Sequence, residues 1–441
     1  MILFYTEEIT PRIEYITRLI FSRILQVKIA FTDSSDEFIK SELPKINYSH
    51  QKFGNELYIK PHRLMTLKAL IRPNINPVWV DGEKYFCESS TDSLFPFDPF
   101  AASFYVVTRY EEYIEKKRRD KFGRYPFNES ILHKYNLLKK PVVNIWADNI
   151  RRAFEEVYPD FQFPEKKFRF FTTIDIDNAW AYKNKSMFRT LAAMGKAALN
   201  GQFEEIKQRR DVLSGKVTDP YDTYDYIDNV FKNNTDKVKF FFLLGNYRKY
   251  DKNVSYKNKA FRDLVKRIAS KYDIGVHPSY HTGKKRGTKT TKEEVKRLQK
   301  ITGLEIIKSR QHFLRLRFPK TYRRLLKAGI LEDYTMGYPN QTGFRAGICS
   351  PFNFYDLEKD VPTNLVILPF QAMDVTLHDY LQLPPEEAFE EIEKLMLEVK
   401  KVNGIFMSVW HNETINNLGT WEGYREVFEK MNRLGIQWAN E

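Results

Sequence analysis

Residues 170–180 read FFTTIDIDNAW and place two carboxylates, Asp175 and Asp177, at the end of an apolar, β-branched run. Such a run predicts a buried β-strand. Side chains two residues apart on a strand face the same side, so both acids should point toward one place while Ile176 packs on the opposite side. The stretch therefore predicts a polar site at the carboxyl end of this strand.

The alternation of strand and helix that starts here continues to the end of the chain. The predicted strands lie at residues 168–177, 238–244, 273–279, 305–312, 330–335, within 365–377, and at 404–411. Seven strands that alternate with helices predict a parallel sheet, either open or closed into a barrel. In both arrangements ligands bind at the carboxyl ends of the strands.

The N-terminal third has a different organisation. It begins with a predicted strand, helix and strand but lacks a Gly-rich phosphate loop between the first strand and the helix. Residues 158–167, YPDFQFPEKK, contain two prolines and are typical of a linker. We therefore expect a smaller α/β domain over residues 1–165, with an unassigned accessory role, followed by the main domain over residues 166–441.

Composition and length predict a globular enzyme. The 441 residues are enough for two or three domains, and 42% of them are apolar. No apolar run approaches the ~20 residues of a membrane span, and the N-terminus lacks the pattern of a secretory signal. Cys87 and Cys349 are too far apart in the sequence to indicate a disulfide framework. These features predict a cytoplasmic protein without a transmembrane segment.

The net charge of +14 raises the question of an anionic partner. The densest basic run, residues 284–300, mixes lysine and arginine with acids along a predicted helix. No nucleic-acid motif accompanies it, so we interpret it as a solvated basic face and expect no nucleic-acid partner.

Polar side chains recur where the predicted strands end. They are Asp175, Asp177, His277, His281, Arg310, His312, Asp333, Asp374 and His411. Because the carboxyl ends of parallel strands meet at one edge, this set predicts a single site.

The histidines in HPSYH, His277 and His281, indicate a divalent cation when combined with one carboxylate of the Asp pair. A helical or tight turn beginning at Pro278 would let both rings point together. Only one acid is needed as the third ligand, and the other is then available to take a proton from a water that the cation activates.

Arg310 could fix the charge and orientation of that base, and His411 could protonate a leaving group, with its ring oriented by Asp374 or Asp333. The alternatives are that Arg310 pairs with a structural carboxylate and that His312 is a core histidine.

Five segments, in order, resemble the motifs of NodB-like polysaccharide deacetylases (carbohydrate esterase family four). They are TIDID, HPSYH, the arginine of SRQH, the aspartate after the next helix, and SVWH. The resemblance covers residues 165 to 415 and implies an irregular (β/α)7 barrel. It implies a metal-dependent N-deacetylase of an N-acetylated carbohydrate, with Zn²⁺, Co²⁺ or Ni²⁺ as the cation. By this resemblance the base is Asp175, the metal ligands are Asp177, His277 and His281, the base's partner is Arg310, and the general acid is His411.

The sequence departs from the common family pattern at several points. Ile176 separates the two aspartates, as in an Asp-x-Asp subset, and QHFLR replaces the proline-rich continuation after Arg310. The fourth motif keeps Asp333 but lacks its tryptophan. The segment TGFRAG brings Arg345 as an alternative partner for the base. The N-terminal third resembles the appended domains that accompany deacetylases of Bacteroidetes type.

Two other functions fit the same pattern. One is a non-catalytic glycan-binding or assembly protein on the deacetylase fold. The other is a hydrolase that keeps the metal and the water but cleaves a non-sugar amide or an O-acetyl ester.

Overall fold

The fold is described from a computed structural model that covers residues 1–80, 82–116, 118–284 and 286–441. Lys285, part of the basic run noted above, lies outside the described residues. The chain forms a small parallel sheet near its N-terminus, a short hairpin, and a large nine-stranded sheet. Among the described helices none combines the length and apolar character needed to cross a bilayer.

The N-terminal region contains a four-stranded parallel sheet in the order β2-β1-β3-β4, followed by an antiparallel hairpin, β5-β6. The strands are β1 (Ile2–Tyr5), β2 (Ile29–Thr32), β3 (Lys45–Asn47), β4 (Leu57–Tyr58), β5 (Pro77–Val80) and β6 (Glu83–Phe86). The helices are α1 (Pro11–Arg18), α2 (Ser35–Lys40), α3 (Pro99–Val107), α4 (Tyr110–Ile114), α5 (Ile131–Lys134) and α6 (Val142–Val157). The strand, helix and strand predicted at the start of the chain are confirmed.

The second part is built on the large sheet. Its strands are β7 (Arg169–Ile176), β8 (Val238–Phe242), β9 (Asp273–Val276), β10 (Lys308–Ser309), β11 (Glu332–Asp333), β12 (Phe352–Asp356), β13 (Val361–Ile367), β14 (Ala372–Met373) and β15 (Ile405–His411). Its helices are α7 (Met187–Leu199), α8 (Phe203–Leu213), α9 (Tyr224–Val230), α10 (Lys259–Ala269), α11 (Gly287–Thr302), α12 (Lys320–Lys327), α13 (Pro385–Lys401) and α14 (Tyr424–Asn440).

The large sheet has more strands than the sequence predicts. Its order is β12-β13-β11-β10-β9-β8-β7-β15-β14, and all neighbours are parallel except β12 and β13. The region 365–377, expected to hold one strand, contributes to both β13 and β14. The sheet therefore has eight parallel strands and an antiparallel edge strand. Among the described residues its hydrogen-bonded order is linear, without a ladder between the two edge strands.

One face of the large sheet encloses a small apolar cluster separate from the main core. Phe241 of β8, Tyr334 after β11, Phe370 after β13 and Met407 of β15 all belong to it. The rings of Phe241 and Tyr334 lie 5.1 Å apart although three strand spacings separate their strands, which means that the sheet curls toward this face. Gly275 permits the packing, since a Cβ atom there would lie 2.5 Å from the Phe241 ring.

The N-terminal region and the second part share a continuous core. The Tyr15 hydroxyl donates to the Asn353 carbonyl at 2.6 Å, and the Arg12 guanidinium pairs with Asp360 at 2.8 Å. One apolar cluster runs from the first strand to the last helix. The domain boundary at residues 165 and 166 stays a prediction.

Candidate active site

The register of the sheet brings two predicted site residues side by side. His411, the last residue of β15, pairs directly with Asp175 of β7. Ile176 points to the other side and is buried in the main core, as the two-residue periodicity predicts. Asp175 and Asp177 both line a cavity of about 170 Å³ at the carboxyl ends of the strands. The predicted edge of the sheet is therefore where the polar residues meet.

Asp177 lies between two histidines. Its Oδ1 is 3.1 Å from Nε2 of His277, and its Oδ2 is 3.1 Å from Nε2 of His312. One ligand atom from each of these residues lies within 4.8 Å of the other two. Burial alone would raise the pKa of Asp177, but the two imidazoles hold it well below its usual value.

The chemistry of this cluster suits a divalent cation. The 3.1 Å contact between Oδ1 of Asp177 and Nε2 of His277 is an ion-pair contact without hydrogen-bond geometry. Both Oδ1 of Asp177 and Nδ1 of His277 are therefore buried without a hydrogen bond within the protein. Buried polar atoms without partners are rare, and a ligand commonly accounts for them. Two imidazole nitrogens and a carboxylate oxygen also form a donor set that suits Zn²⁺, Co²⁺ or Ni²⁺.

His281, predicted as a metal ligand, does not join the cluster, and His312 occupies the expected place. A continuous α-helical turn would place two side chains four residues apart on the same face. Here Ser279 is extended, with ψ of 155°, and the helical turn that follows is a short 3₁₀ segment, Tyr280–Gly283. The side chain of His281 instead lines a neighbouring cavity with Arg248 and Arg286.

Asp251, which the sequence analysis did not single out, orients His312. Its carboxylate lies 3.0 Å from Nδ1 of that ring, which leaves Nε2 directed at Asp177. The backbone N–H of Tyr280 also donates to Asp251, at 2.7 Å. Burial would lower the pKa of His312, but Asp177 and Asp251 raise it to about 10. Asp251 belongs to a loop without a recognisable motif, so the local sequence gave no signal for it.

Arg310, and not Arg345, contacts Asp175. Its Nη1 donates to Oδ1 of Asp175 at 3.0 Å and to the Thr173 hydroxyl at 2.6 Å. Its Nε donates to the carbonyl of Tyr334 at 2.9 Å. Arg345 instead pairs with Glu112 of the N-terminal region, at 2.8 Å. The choice left open by the sequence therefore falls on Arg310.

His411 is held by Asp374 rather than Asp333. Its Nδ1 is 2.9 Å from Oδ1 of Asp374, whose Oδ2 accepts the backbone N–H of His411 at 2.7 Å. This contact uses Nδ1 and leaves Nε2 for the cavity that the ring lines. Burial would lower the pKa of His411, but the Asp374 carboxylate raises it well above the usual imidazole value. Asp333 is engaged elsewhere, with the hydroxyls of Ser309 and Thr335.

Two further side chains of the cavity wall were missed from the sequence. Glu413 lies two residues after His411, and burial raises its pKa to about 7. Arg124 comes from the N-terminal region, is paired with Asp120 at 2.7 Å, and donates to the Tyr380 hydroxyl at 3.2 Å. The two-residue period at a strand end, which predicts that Asp177 faces the site, applies equally to Glu413. Nothing in the sequence links Arg124 to strand ends that follow it by fifty residues or more.

Comparison with known proteins gives a family match for the N-terminal region. Residues 2–159 match a family described as a family of unknown function, DUF7033. A search of curated proteins returned no match.

Several solved structures resemble the chain. One is a polysaccharide deacetylase, so described, from Mycobacterium smegmatis, with 15% identity and a TM-score of 0.39 over 64% of this chain and 92% of that one. Another is a CE4 family pseudoenzyme from Bacillus anthracis, with 10% identity and a TM-score of 0.31 over 61% of this chain and 62% of that one. A mutant of that pseudoenzyme with restored enzymatic activity has 12% identity and a TM-score of 0.28 over 61% and 64% of the two chains. The chain thus spans less than two thirds of the Bacillus anthracis structures.

Proposed function

We propose that the chain is a metal-dependent hydrolase that removes the acetyl group from an N-acetylated carbohydrate. The observation that carries the proposal is the arrangement of three groups in one cavity. The Asp177, His277 and His312 cluster lines the same cavity as Asp175, which pairs with Arg310, and His411, which pairs with Asp374. A cation site that shares a cavity with a candidate base and a candidate acid is the arrangement that amide hydrolysis requires.

The ligands in this proposal are Asp177, His277 and His312. A divalent cation held there supplies Lewis acidity, which polarises the amide carbonyl and lowers the pKa of a water molecule. The donor set favours Zn²⁺ and also accepts Co²⁺ or Ni²⁺.

The protein's own groups then move the protons. Asp175 accepts a proton from the attacking water, and Arg310 fixes that carboxylate through the 3.0 Å contact with its Oδ1. Nε2 of His411, which faces the same cavity, donates a proton to the departing nitrogen. The Asp374 carboxylate keeps the His411 ring oriented and raises its pKa, so the acid form is available at neutral pH.

The proposal includes the fold. We take the curled sheet to be a variant of the irregular (β/α)7 barrel of NodB-like deacetylases, in the Asp-x-Asp subset, with an additional parallel strand and an appended N-terminal domain. Polar groups gathered at the carboxyl ends of parallel strands support this assignment. Arg124, in the cavity wall, gives the N-terminal region a direct part in the site.

Metal content tests the ligand assignment. After reconstitution with Zn²⁺, elemental analysis should find about one metal per chain in the wild type and a loss of metal in Asp177→Ala and His312→Ala. His281→Ala is the matched control and should retain its metal. The reverse result, metal lost from His281→Ala and kept in His312→Ala, would overturn the assignment.

Acetate release tests the reaction. The wild type is assayed against N-acetylated sugars, O-acetylated sugars and simple acetamides. Asp175→Asn should keep its metal and release no acetate from a substrate that the wild type cleaves. If acetate is released only from O-acetyl esters or only from simple amides, the substrate belongs to that class and not to the N-acetylated carbohydrates. A metal-loaded protein that releases nothing from the whole panel would favour a non-catalytic glycan-binding role.

A further inference from the structure

Helices α7 and α8 form a hairpin whose apolar side chains face outward. The exposed fractions are 79% for Met187, 82% for Phe188, 61% for Leu191, 90% for Leu199 and 69% for Phe203. Single exposed apolar residues are ordinary on a soluble protein, but five strongly exposed ones between residues 187 and 203 of one hairpin indicate an interaction surface. We call these five residues the hairpin patch.

The composition of α7 differs from that of an ordinary surface helix. Its sequence, MFRTLAAMGKAAL, contains no acidic residue, and its only charged residues are Arg189 and Lys196. Of its thirteen residues only Ala197 is buried against the protein. An amphipathic helix of a globular domain normally turns its apolar stripe toward the core. In α7 the apolar residues are left for an external partner.

The charge around the hairpin patch is strongly positive. Residues 183–216 carry eight Lys and Arg against three Asp and Glu. Exposed Phe, Leu and Met flanked by Lys and Arg is the combination by which amphipathic helices lie in the interface of an anionic bilayer.

The hairpin is firmly attached to the protein at its base. The Asp219 carboxylate accepts the backbone N–H groups of Ala181, Tyr182 and Lys183 at 2.7–2.9 Å. The Arg189 guanidinium lies 4.0 Å from the centre of the Tyr247 ring. A docked hairpin would therefore hold the rest of the molecule in a fixed orientation.

The connection that carries the hairpin begins at the carboxyl end of β7, the end of the strand at which the cavity lies. The chain leaves the end of β7 at Ile176, and α7 begins at Met187, ten residues after Asp177.

We propose that the hairpin patch docks the protein on the surface of an anionic phospholipid membrane. The apolar side chains enter the interfacial region while the surrounding Lys and Arg contact the lipid phosphates. A second copy of the chain fits the patch less well, because each copy carries a net charge of +14 and the basic flanks of two patches would face each other. The docking does not depend on the metal site or on catalysis.

Co-sedimentation of the full chain with vesicles tests the proposal. We expect binding to phosphatidylcholine vesicles that contain phosphatidylglycerol, and much weaker binding to phosphatidylcholine alone. The double variant Phe188→Ser/Leu191→Ser should lower the partition coefficient at least about tenfold, since two buried apolar side chains are lost. Ile39→Ser/Leu304→Ser is the matched control at exposed apolar positions elsewhere, and it should bind like the wild type.

Charge is tested in the same way. Lys196→Glu/Lys207→Glu should lower binding to the anionic vesicles about tenfold or more, and added salt should weaken wild-type binding. Lys292→Glu/Lys296→Glu on α11 changes the net charge equally and should have a much smaller effect. Equal losses in the two charge variants would mean that net charge alone drives binding, which overturns a specific patch.

Other outcomes also overturn the proposal. One is a wild type that does not sediment with anionic vesicles at low salt. Another is a Phe188→Ser/Leu191→Ser variant that binds vesicles as well as the wild type. If the same variant dissociates a dimer in sedimentation velocity while vesicle binding is unchanged, the patch is an interface between copies. Matching circular dichroism spectra and melting temperatures confirm that each variant is folded.

Discussion

Two buried arginine–carboxylate pairs in this chain have the same chemistry and different surroundings. In the first, Arg345 donates from Nε, Nη1 and Nη2, and its partner Glu112 also accepts from Arg109 and Arg119. In the second, Arg310 donates to Asp175 from Nη1, while its Nη2 is buried without a partner in the protein. All three guanidinium nitrogens of Arg345 donate hydrogen bonds, so the first pair is saturated. One nitrogen of Arg310 has no hydrogen-bond partner in the protein, so the second pair is unsaturated.

The difference marks the first pair as structural and the second as a candidate for function. Glu112 belongs to the N-terminal region and Arg345 to the second part, so their pairing joins the two. Asp175 lines the cavity beside the candidate metal cluster. Burying a charge is costly, and the cost is recovered only when every partner is in place. An incompletely satisfied buried pair next to a cavity is therefore the better candidate for chemistry.

The largest effect is expected from breaking the saturated pair. Glu112→Gln would leave three arginines without their shared carboxylate and should lower the free energy of unfolding by about 3–5 kcal/mol. Glu155→Gln, which breaks a pair on the surface of α6, is the control and should cost less than about 1 kcal/mol. Guanidinium denaturation measures both, and equal small losses would contradict the structural role.

Glu112 also contributes to the pH dependence of the free energy of unfolding in acid. Burial would raise the pKa of Glu112, but Arg345, Arg109 and Arg119 lower it from 4.5 to about 2. The stabilisation is therefore present above the unfolded value and lost as pH falls from about 4.5 to about 2. Glu112→Gln should lack this part of the acid transition.

The next largest effect, on kcat, is expected from breaking the unsaturated pair of Asp175 and Arg310. Arg310→Met should lower kcat by about 10²–10³-fold with little change in KM, because it disturbs the orientation of the base and not the binding of substrate. Arg345→Met is the contrasting variant. It should lose stability but keep its kcat at temperatures where it is folded. The distinction between the two pairs is wrong if kcat is lost from Arg345→Met and retained in Arg310→Met. The metal content of both variants should be measured as a control.

A smaller effect is expected for the His411–Asp374 pair. Asp374→Asn removes the charge that raises the pKa of His411, so the protonated acid form is lost at a lower pH. The alkaline limb of the kcat/KM profile should move to lower pH, with about a 10²-fold loss at neutral pH. Asp333→Asn is the control, since Asp333 contacts Ser309 and Thr335 instead of the ring. An unchanged alkaline limb in Asp374→Asn would remove His411 from the role of acid.

The sequence predicts those parts of the site that depend on periodicity and strand ends. Asp175, Asp177, His277, Arg310 and His411 all come to one edge because parallel strands end there together. The two-residue period also predicts that Ile176 faces the other side. These are local properties that a single strand and its neighbours determine.

The rest depends on backbone geometry or on distant segments. The sequence favours His281 over His312 as a metal ligand, but the extended backbone at Ser279 separates His281 from Asp177, and His312 contacts Asp177 instead. Arg310 is the arginine that the sequence favours as the partner of Asp175, and Arg345 stays an alternative until Glu112, more than two hundred residues away in the chain, is seen to pair with it. No local pattern carries that information.

The smallest effect is expected for Glu294, a buried acid that forms no ion pair within the described part of the chain. Both oxygens of Glu294 accept from Ser279, from its backbone N–H at 2.8 Å and its hydroxyl at 2.6 Å. Burial raises the pKa of Glu294 from 4.5 to about 7, the opposite direction to Glu112. A carboxyl with a raised folded pKa stabilises the protein below its unfolded value, and this contribution is lost as pH rises from about 4.5 to about 7.

Glu294→Gln should therefore be less sensitive than the wild type to a rise in pH across this interval, by about 2 kcal/mol in the free energy of unfolding. Glutamine keeps an acceptor for the Ser279 N–H and gains a donor for its hydroxyl, so the local hydrogen bonds survive the change. Denaturation curves at pH 5 and pH 7, in buffers matched for metal, measure the difference. If wild type and variant keep the same difference in stability at both values, Glu294 is ionised throughout, and contact with a cation is not what separates these buried acids.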